Sequence, residues 1–183
     1  MYLETIILAI AFFGNLISSK CVKNIAEHNL KNPYTALPDI IHSNIKPIPF
    51  YYPDRFMYFL ILLTIIQLPF LIKTISIVFL KKLVLCVGLC LILRAITMNL
   101  TIFPSCIPKE RINKKLCLYD SVFLSSHDFM FSGHTILYIF FSHLLNNNLI
   151  QIIGPFLSIA SRQHYTIDVF VSFVVFYLIY QNL

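Results

Sequence analysis

Long apolar runs separated by short polar segments dominate this sequence. A helix needs about 20 apolar residues to cross the ~30 Å hydrocarbon layer of a membrane. Six runs approach that length, and each is followed by polar residues or by a turn-forming proline or glycine. The pattern therefore predicts an all-α polytopic membrane protein, a bundle of six transmembrane helices. The predicted spans are residues 2–18, 56–72, 83–102, 128–145, 148–161 and 165–181.

Composition agrees with this pattern. The chain has 183 residues, of which 58% are hydrophobic and only 12% charged, against about 25% charged in soluble domains. We interpret residues 1–183 as a single domain integral to a membrane. The net charge is +6, but the basic residues lie between apolar runs. They therefore favour anionic lipid or phosphate head groups as partners, not nucleic acid.

The five cysteines form no metal-binding pattern. Cys86 and Cys90 share one face of an apolar run and are expected to be packing residues. Cys106 and Cys117 flank a polar loop, and they either form a disulfide, if that loop faces an oxidising compartment, or stay reduced. The chain also has no HExxH motif and no carboxylate cluster, so we expect neither a metal nor another cofactor.

Six spans place both termini on one side of the membrane, called face A here. The opposite side, face B, receives the loops 19–55 and 103–127 and the turn 162–164. Polar residues from distant parts of the sequence then converge near face B. This convergence is stronger evidence for a site than any one of its residues, which are Arg94, Asp128, Ser132, His134, His164 and Asp168.

His164 and Asp168 are four residues apart, so they share a helix face and lie within reach of each other. A carboxylate beside an imidazole holds one ring nitrogen protonated and leaves the other as a base or nucleophile. The alternative is a structural polar pair that bridges two helices. Arg162 favours the functional interpretation, because the planar guanidinium is suited to binding phosphate.

The segment "FSGHT" places short polar residues at the predicted start of a helix. Ser132 and its neighbours leave backbone N–H groups accessible there, and helix N-termini favour anions. Asp128 is a candidate helix cap and site residue. His134 is suited to donate a proton to a leaving oxygen. The alternative is an ordinary helix cap followed by a histidine at the membrane interface.

Together these residues suit the transfer of a phosphoryl-containing group through a phosphohistidine intermediate. In this interpretation His164 attacks phosphorus, Asp168 orients His164, and His134 protonates the departing alcohol. Arg94 and Arg162 neutralise the non-bridging phosphate oxygens.

Four segments resemble motifs of the sphingomyelin synthase family, relatives of the lipid phosphate phosphatases. They are "ALPDIIH" (36–42), "LRAITMNLTIFP" (93–104), "HDFMFSGHT" (127–135) and "SRQHYTIDV" (161–169). The last two are the specific ones, and the order of all four matches the family along almost the whole chain. One departure is Ser126-His127, where the family has Cys-Gly.

The resemblance implies six spans and a catalytic triad of His134, His164 and Asp168. It also implies transfer of phosphocholine, or a similar head group, from a membrane phospholipid to ceramide, with release of diacylglycerol. The product would be sphingomyelin or an analogue. The expected location is a Golgi, endoplasmic reticulum or plasma membrane.

Three other functions stay open. The same triad could serve a lipid phosphatase or phospholipase C-like hydrolase, or a phosphatidylcholine:diacylglycerol cholinephosphotransferase. A non-enzymatic lipid-binding module is the third. In the phosphatase relatives several residues separate the arginine and histidine of the last motif, whereas here only Gln163 intervenes. That spacing favours the transferase.

Sidedness is a point of conflict. Most of the 14 Lys and Arg residues lie on face B, and the positive-inside rule would therefore place face B in the cytosol. The family resemblance places the active site in the lumen or outside the cell. A face that handles phosphate has its own reason to be basic, so we adopt the lumenal or exoplasmic orientation.

Overall fold

A computed structural model describes residues 2–29, 36–106 and 131–183. These ranges contain seven helices and no strand, which confirms the predicted all-α class. The helices are α1 (Tyr2–Asn29), α2 (Ile40–Asn44), α3 (Tyr52–Thr74), α4 (Ile77–Leu100), α5 (Gly133–Leu144), α6 (Ile150–Ala160) and α7 (Thr166–Asn182).

Three of the described helices are long and apolar enough to cross a membrane: the segment Leu3–Ala26 of α1, then α3 and α4. Their outward residues are large and apolar. Ile66 and Phe70 of α3, for example, are 66% and 65% exposed. Water would not stabilise such surfaces, whereas lipid would. The chain is therefore an integral membrane protein of the all-α class.

Helices α5 and α6 are shorter than the predicted spans, whereas α7 has 17 residues, the length predicted for the sixth span. Helix α5 has 12 residues and α6 has 11, well below the roughly 20 that cross a bilayer. Span four was predicted to start at residue 128. Among the described residues the helix begins only at Gly133, so this part of the prediction is wrong. Phe131 and Ser132 precede the helix, because the Ser132 hydroxyl accepts the Thr135 N–H at 3.1 Å and caps α5 at Gly133.

Small residues allow α1 and α4 to pack closely, side by side and in the same direction. A Cβ atom added to Gly14 would lie 3.8 Å from Cβ of Ala95, and one added to Gly88 would lie 2.8 Å from Ile7. The buried Asn15 amide donates to the Leu91 carbonyl at 2.7 Å. Close approach of small residues is the usual basis of helix packing in membranes. It sets the position of α4, which carries Arg94.

Helices α3, α5 and α6 meet around Tyr138. A Cβ atom added to Gly154 would lie 2.3 Å from the Tyr138 ring, so only glycine fits there. The Tyr138 hydroxyl donates to the Pro53 carbonyl at 3.0 Å. This contact brings the start of α3 to the start of α5, at the end of the bundle called face B.

Cysteine positions agree with the packing interpretation as far as they are described. Cys86 and Cys90 are buried in the core. Cys106 is also buried and donates its S–H to the Arg162 carbonyl at 3.2 Å. Of the two alternatives for Cys106, the structure shows the free thiol; Cys117 lies outside the described residues.

Candidate active site

A cluster of buried ionisable side chains lies at face B. His134 comes from the first turn of α5, His164 from the turn between α6 and α7, and Asp168 from the first turn of α7. Their exposed fractions are 0%, 2% and 0%. The two imidazole rings lie 5.9 Å apart between centroids. Burial of three ionisable groups together is costly, and such clusters mark functional sites in membrane proteins.

The Asp168 carboxylate holds one side of the His164 ring. Its Oδ2 lies 3.4 Å from Nδ1 of His164 and accepts the Tyr165 backbone N–H at 2.9 Å. The second contact fixes the carboxylate at the amino terminus of α7. The first holds the His164 ring from its Nδ1 side, so Nδ1 faces Asp168 and Nε2 points away from it.

The turn that carries His164 begins with a tightly closed helix end. Arg162 has φ 64°, in the left-handed region that glycine usually occupies at a helix C-terminus. The Arg162 N–H donates to the Ile159 carbonyl at 2.9 Å, and the Gln163 N–H donates to the Ser158 carbonyl at 3.0 Å. These two hydrogen bonds reverse the direction of the chain at the end of α6. They place His164 next to Tyr165, the N-cap of α7.

Burial lowers the pKa of His164 well below its usual range, and the neighbouring charges of His134 and Arg94 lower it further. The imidazole is therefore neutral near neutral pH. A neutral ring has the lone pair that a nucleophile or base requires.

Hydrogen bonds of Ser132 and Ser172 join α5 to α7 next to Asp168. The Ser132 N–H donates to the Ser172 hydroxyl at 2.7 Å, and that hydroxyl donates to the Asp168 carbonyl at 2.7 Å. The Ser132 hydroxyl itself caps α5. Ser132 thus has a structural task, and its role in binding phosphate stays a prediction.

Arg94 is completely buried beneath the site. Its Nε donates to the Phe131 carbonyl at 3.0 Å, and one terminal nitrogen donates to Oδ1 of Asn15 at 2.6 Å. The guanidinium is therefore held next to the segment that leads into His134. Its positive charge lies close enough to influence His164 and Asp168.

Arg162, another predicted phosphate ligand, contacts the segment around α2. The Arg162 guanidinium donates to the backbone carbonyls of His42 and Ile45, the second at 3.0 Å. Its role in binding phosphate stays a prediction. Asp128 lies outside the described residues.

Asp54 is a site residue that the sequence reasoning missed. Its Oδ1 lies 3.6 Å from Nε2 of His134, so both histidines have a carboxylate beside them. Asp54 follows Pro53 in the first turn of α3. The available signal was an acid at the start of an apolar run in a chain with only eight acidic residues.

Comparison with known proteins gives one distant relationship. No protein-family model matches the chain. It is 23% identical over 173 residues to a Caenorhabditis elegans protein named Sphingomyelin synthase-related 1. The match covers 78% of this chain and 36% of that relative, so the chain spans about a third of the relative's length. This supports, at a distant level, the relationship that the four sequence motifs indicate.

Proposed function

We propose that the protein is a phospholipid:ceramide head-group transferase that works through a phosphohistidine on His164. The observation that carries the proposal is the buried pair of His164 and Asp168, 3.4 Å apart, facing a second imidazole at 5.9 Å. The distant match to a protein named Sphingomyelin synthase-related 1 supports a related lipid-modifying function.

The first half-reaction transfers the head group to the protein. Nε2 of His164 attacks the phosphorus of the donor phospholipid, and the bond from phosphorus to the diacylglycerol oxygen breaks. His134 gives a proton to that oxygen, and diacylglycerol leaves. Asp168 stabilises the positive charge that develops on the His164 ring.

The second half-reaction transfers the head group to the acceptor. The primary hydroxyl of ceramide attacks phosphorus and loses its proton to His134. The phosphorus–nitrogen bond breaks, and its electron pair returns to Nε2 of His164. The products are a phosphosphingolipid and the starting protein. Because His134 acts first as acid and then as base, it has to release and recover one proton in each cycle.

Positive and negative neighbours suit these roles. Arg94 supplies a fixed positive charge for the developing charge on the non-bridging oxygens, without reorganisation during the reaction. The start of α5 adds oriented backbone N–H groups. Asp54, with Oδ1 3.6 Å from Nε2 of His134, orients that ring for proton transfer. Arg162 and Asp128 complete the proposed phosphate site.

The proposal includes the finer architecture. Helices α5, α6 and α7 would complete a six-span bundle, residues 1–183 would act as one domain, and the site would face the lumen or the cell exterior. A protease-access assay on a C-terminal tag tests the orientation. A tag protected inside the lumen would contradict it.

The decisive experiment is a head-group transfer assay. Membranes from cells that lack sphingomyelin synthesis but express this chain receive fluorescent ceramide with choline, ethanolamine or inositol phospholipids, one at a time. His164→Ala is the inactive comparison, and His143→Phe, at the other end of α5, is the matched control. Both variants are first shown to be inserted in membranes.

We expect a new phosphosphingolipid from the wild type and His143→Phe, but not from His164→Ala. The active donor names the head group. Release of water-soluble phosphate or phosphocholine without a phosphosphingolipid would identify a hydrolase instead. No turnover with any donor would overturn the enzymatic proposal.

A further inference from the structure

A segment far from the site in sequence lies across the turn that carries His164. This segment, Leu37–Ile45, is called the strap here; it contains α2. We propose that the strap sets the position of His164, and that Asp39 is the positioning residue through which it does so. The proposal rests on the proposed role of His164 as nucleophile.

Asp39 makes the central contact between the strap and the turn. Its Oδ2 accepts the Thr166 backbone N–H at 2.7 Å, and its Oδ1 accepts the Thr166 hydroxyl at 2.8 Å. The same Oδ1 accepts the N–H groups of Ile41 and His42 at 3.0 Å each, which caps α2. One carboxylate thus fixes the start of α2 and the start of α7 relative to each other.

Further bonds join the strap to the turn on both sides of Asp39. The Leu37 N–H donates to the Tyr165 hydroxyl at 2.9 Å. The His42 ring lies with Nε2 3.1 Å from the His164 carbonyl. The Arg162 guanidinium donates to the carbonyl of His42. Contacts on each side of the His164 backbone leave the turn little freedom to shift.

The contact with Thr166 has a direct consequence for Asp168. The Thr166 N–H is one of the donors at the start of α7 that have no partner within the helix. Asp39 satisfies it, and among the described residues Oδ2 of Asp168 accepts the Tyr165 N–H and lies beside Nδ1 of His164. Without Asp39, this N–H would compete for the Asp168 carboxylate, and His164 would lose its fixed orientation.

Loss of this contact should therefore slow the chemical step and leave lipid binding unchanged. A misplacement of about 1 Å costs on the order of 100-fold in rate. We expect Asp39→Asn to reduce the rate of phosphohistidine formation by roughly 10- to 100-fold. The KM for the donor should change little, because Asp39 contacts the turn and not the reacting group.

The test is a quenched-flow measurement of phosphoenzyme formation, with the full chain in detergent and a phospholipid donor labelled at phosphorus. Four variants are compared with the wild type. Asp39→Asn weakens the whole contact, and Thr166→Val removes only the hydroxyl bond without changing shape. The double variant tests coupling. Ser43→Ala is the control, since the exposed Ser43 hydroxyl bonds to the Asp39 carbonyl inside the strap.

A positioning role predicts that both single variants slow phosphoenzyme formation and that the double variant is slower by less than the product of the two effects. Ser43→Ala should match the wild type. A role in folding alone would lower the melting temperature and the active fraction but leave the rate constant unchanged, and that result would overturn the inference.

The two proposals fail in different ways. If the wild type forms no acid-labile phosphohistidine, the nucleophilic role of His164 is wrong. If the wild type forms it, and Asp39→Asn forms it at the same rate, only the role of the strap is wrong.

Discussion

The two ends of helix α5 each carry a histidine, in opposite surroundings. His134, at face B, is completely buried beside Asp54 and His164. His143, at the other end, is surrounded by aromatic rings. It stacks on Phe176 and on Tyr180, with ring centroids 6.1 and 5.1 Å apart.

The difference shows what turns an imidazole into a catalytic candidate. At the first end a carboxylate and a second imidazole can exchange or stabilise a proton. At the second end stacked rings provide packing. His143 lies in the last turn of α5, at the end opposite to His134. Residue type and helix are shared, so the neighbours alone distinguish the two histidines.

The largest predicted effect comes from removing His134, and the matched change at His143 is the comparison. His134→Ala should reduce head-group transfer by at least about 100-fold, because general acid–base catalysis contributes on the order of 10²- to 10⁴-fold. His143→Phe keeps an aromatic ring in the stack and should change transfer by less than about twofold, since surface and packing changes away from a site have small effects. Transfer is measured per inserted protein.

A loss of activity in His143→Phe as large as in His134→Ala, with an unchanged melting temperature, would contradict this difference between the two ends. The end with the aromatic rings would then have a part in catalysis that its contacts do not indicate.

Asp54→Asn should give the next largest effect, and it depends on the leaving group. With a phospholipid donor the departing alkoxide needs a proton, and the loss of the carboxylate beside His134 should slow transfer about 10- to 100-fold. A p-nitrophenyl phosphocholine donor releases a stable anion, so the loss should be less than about threefold. The two rates are measured on the same preparations.

His134→Ala should show the same dependence on the leaving group. Asp54→Glu, which keeps the carboxylate, should recover part of the rate. Equal losses with both donors would mean that Asp54 supports folding and does not assist the acid.

The ionisable residues at face B should also make the stability of the fold depend on pH in the acid range. Burial opposes ionisation of Asp39, but hydrogen bonds from His42 and Thr166 outweigh it and lower the pKa of the carboxyl. A lowered folded-state pKa adds stability above the unfolded value, near 3.9, and that stability is lost as the pH falls through the folded value. Above that window Asp39→Asn should be less stable than wild type by roughly 1–2 kcal/mol.

Thermal unfolding in detergent from pH 7 down to pH 3 measures this difference. The gap between wild type and Asp39→Asn should be constant above about pH 5 and should close below about pH 4. Ser43→Ala should follow the wild type throughout. A gap that stays constant to pH 3 would show that the ionised carboxylate does not stabilise the fold.

Local patterns were enough to predict the long helices and one central contact. Apolar runs define α3 and α4 with errors of two to six residues at each end, because hydrophobicity over 20 residues is a strong signal. The spacing of His164 and Asp168 predicts a shared helix face. Their contact is present at 3.4 Å, although Asp168 lies in the first turn of α7 and His164 precedes the helix.

Contacts between distant segments could not be predicted in the same way. Asp54 and His134 meet because Tyr138 joins α5 to α3. The sequence of one helix does not determine how that helix is rotated relative to its neighbour, so this contact could not be predicted. Asp39 reaches Thr166 across 127 residues of sequence. Arg162 had the charge of a phosphate ligand, but its left-handed backbone directs it toward the strap.

The smallest predicted effect lies at the end with the aromatic rings. The Lys82 ammonium lies 4.5 Å from the centre of the Tyr180 ring, and exposed cation–π contacts contribute about 0.5–1 kcal/mol. Lys82→Met keeps the side-chain length and removes the charge, so we expect a small fall in the melting temperature and unchanged transfer. Lys81→Met is the matched control for loss of one charge on face A. A change in transfer from Lys82→Met alone would link this end to the site, and would show that the two ends of α5 are not independent.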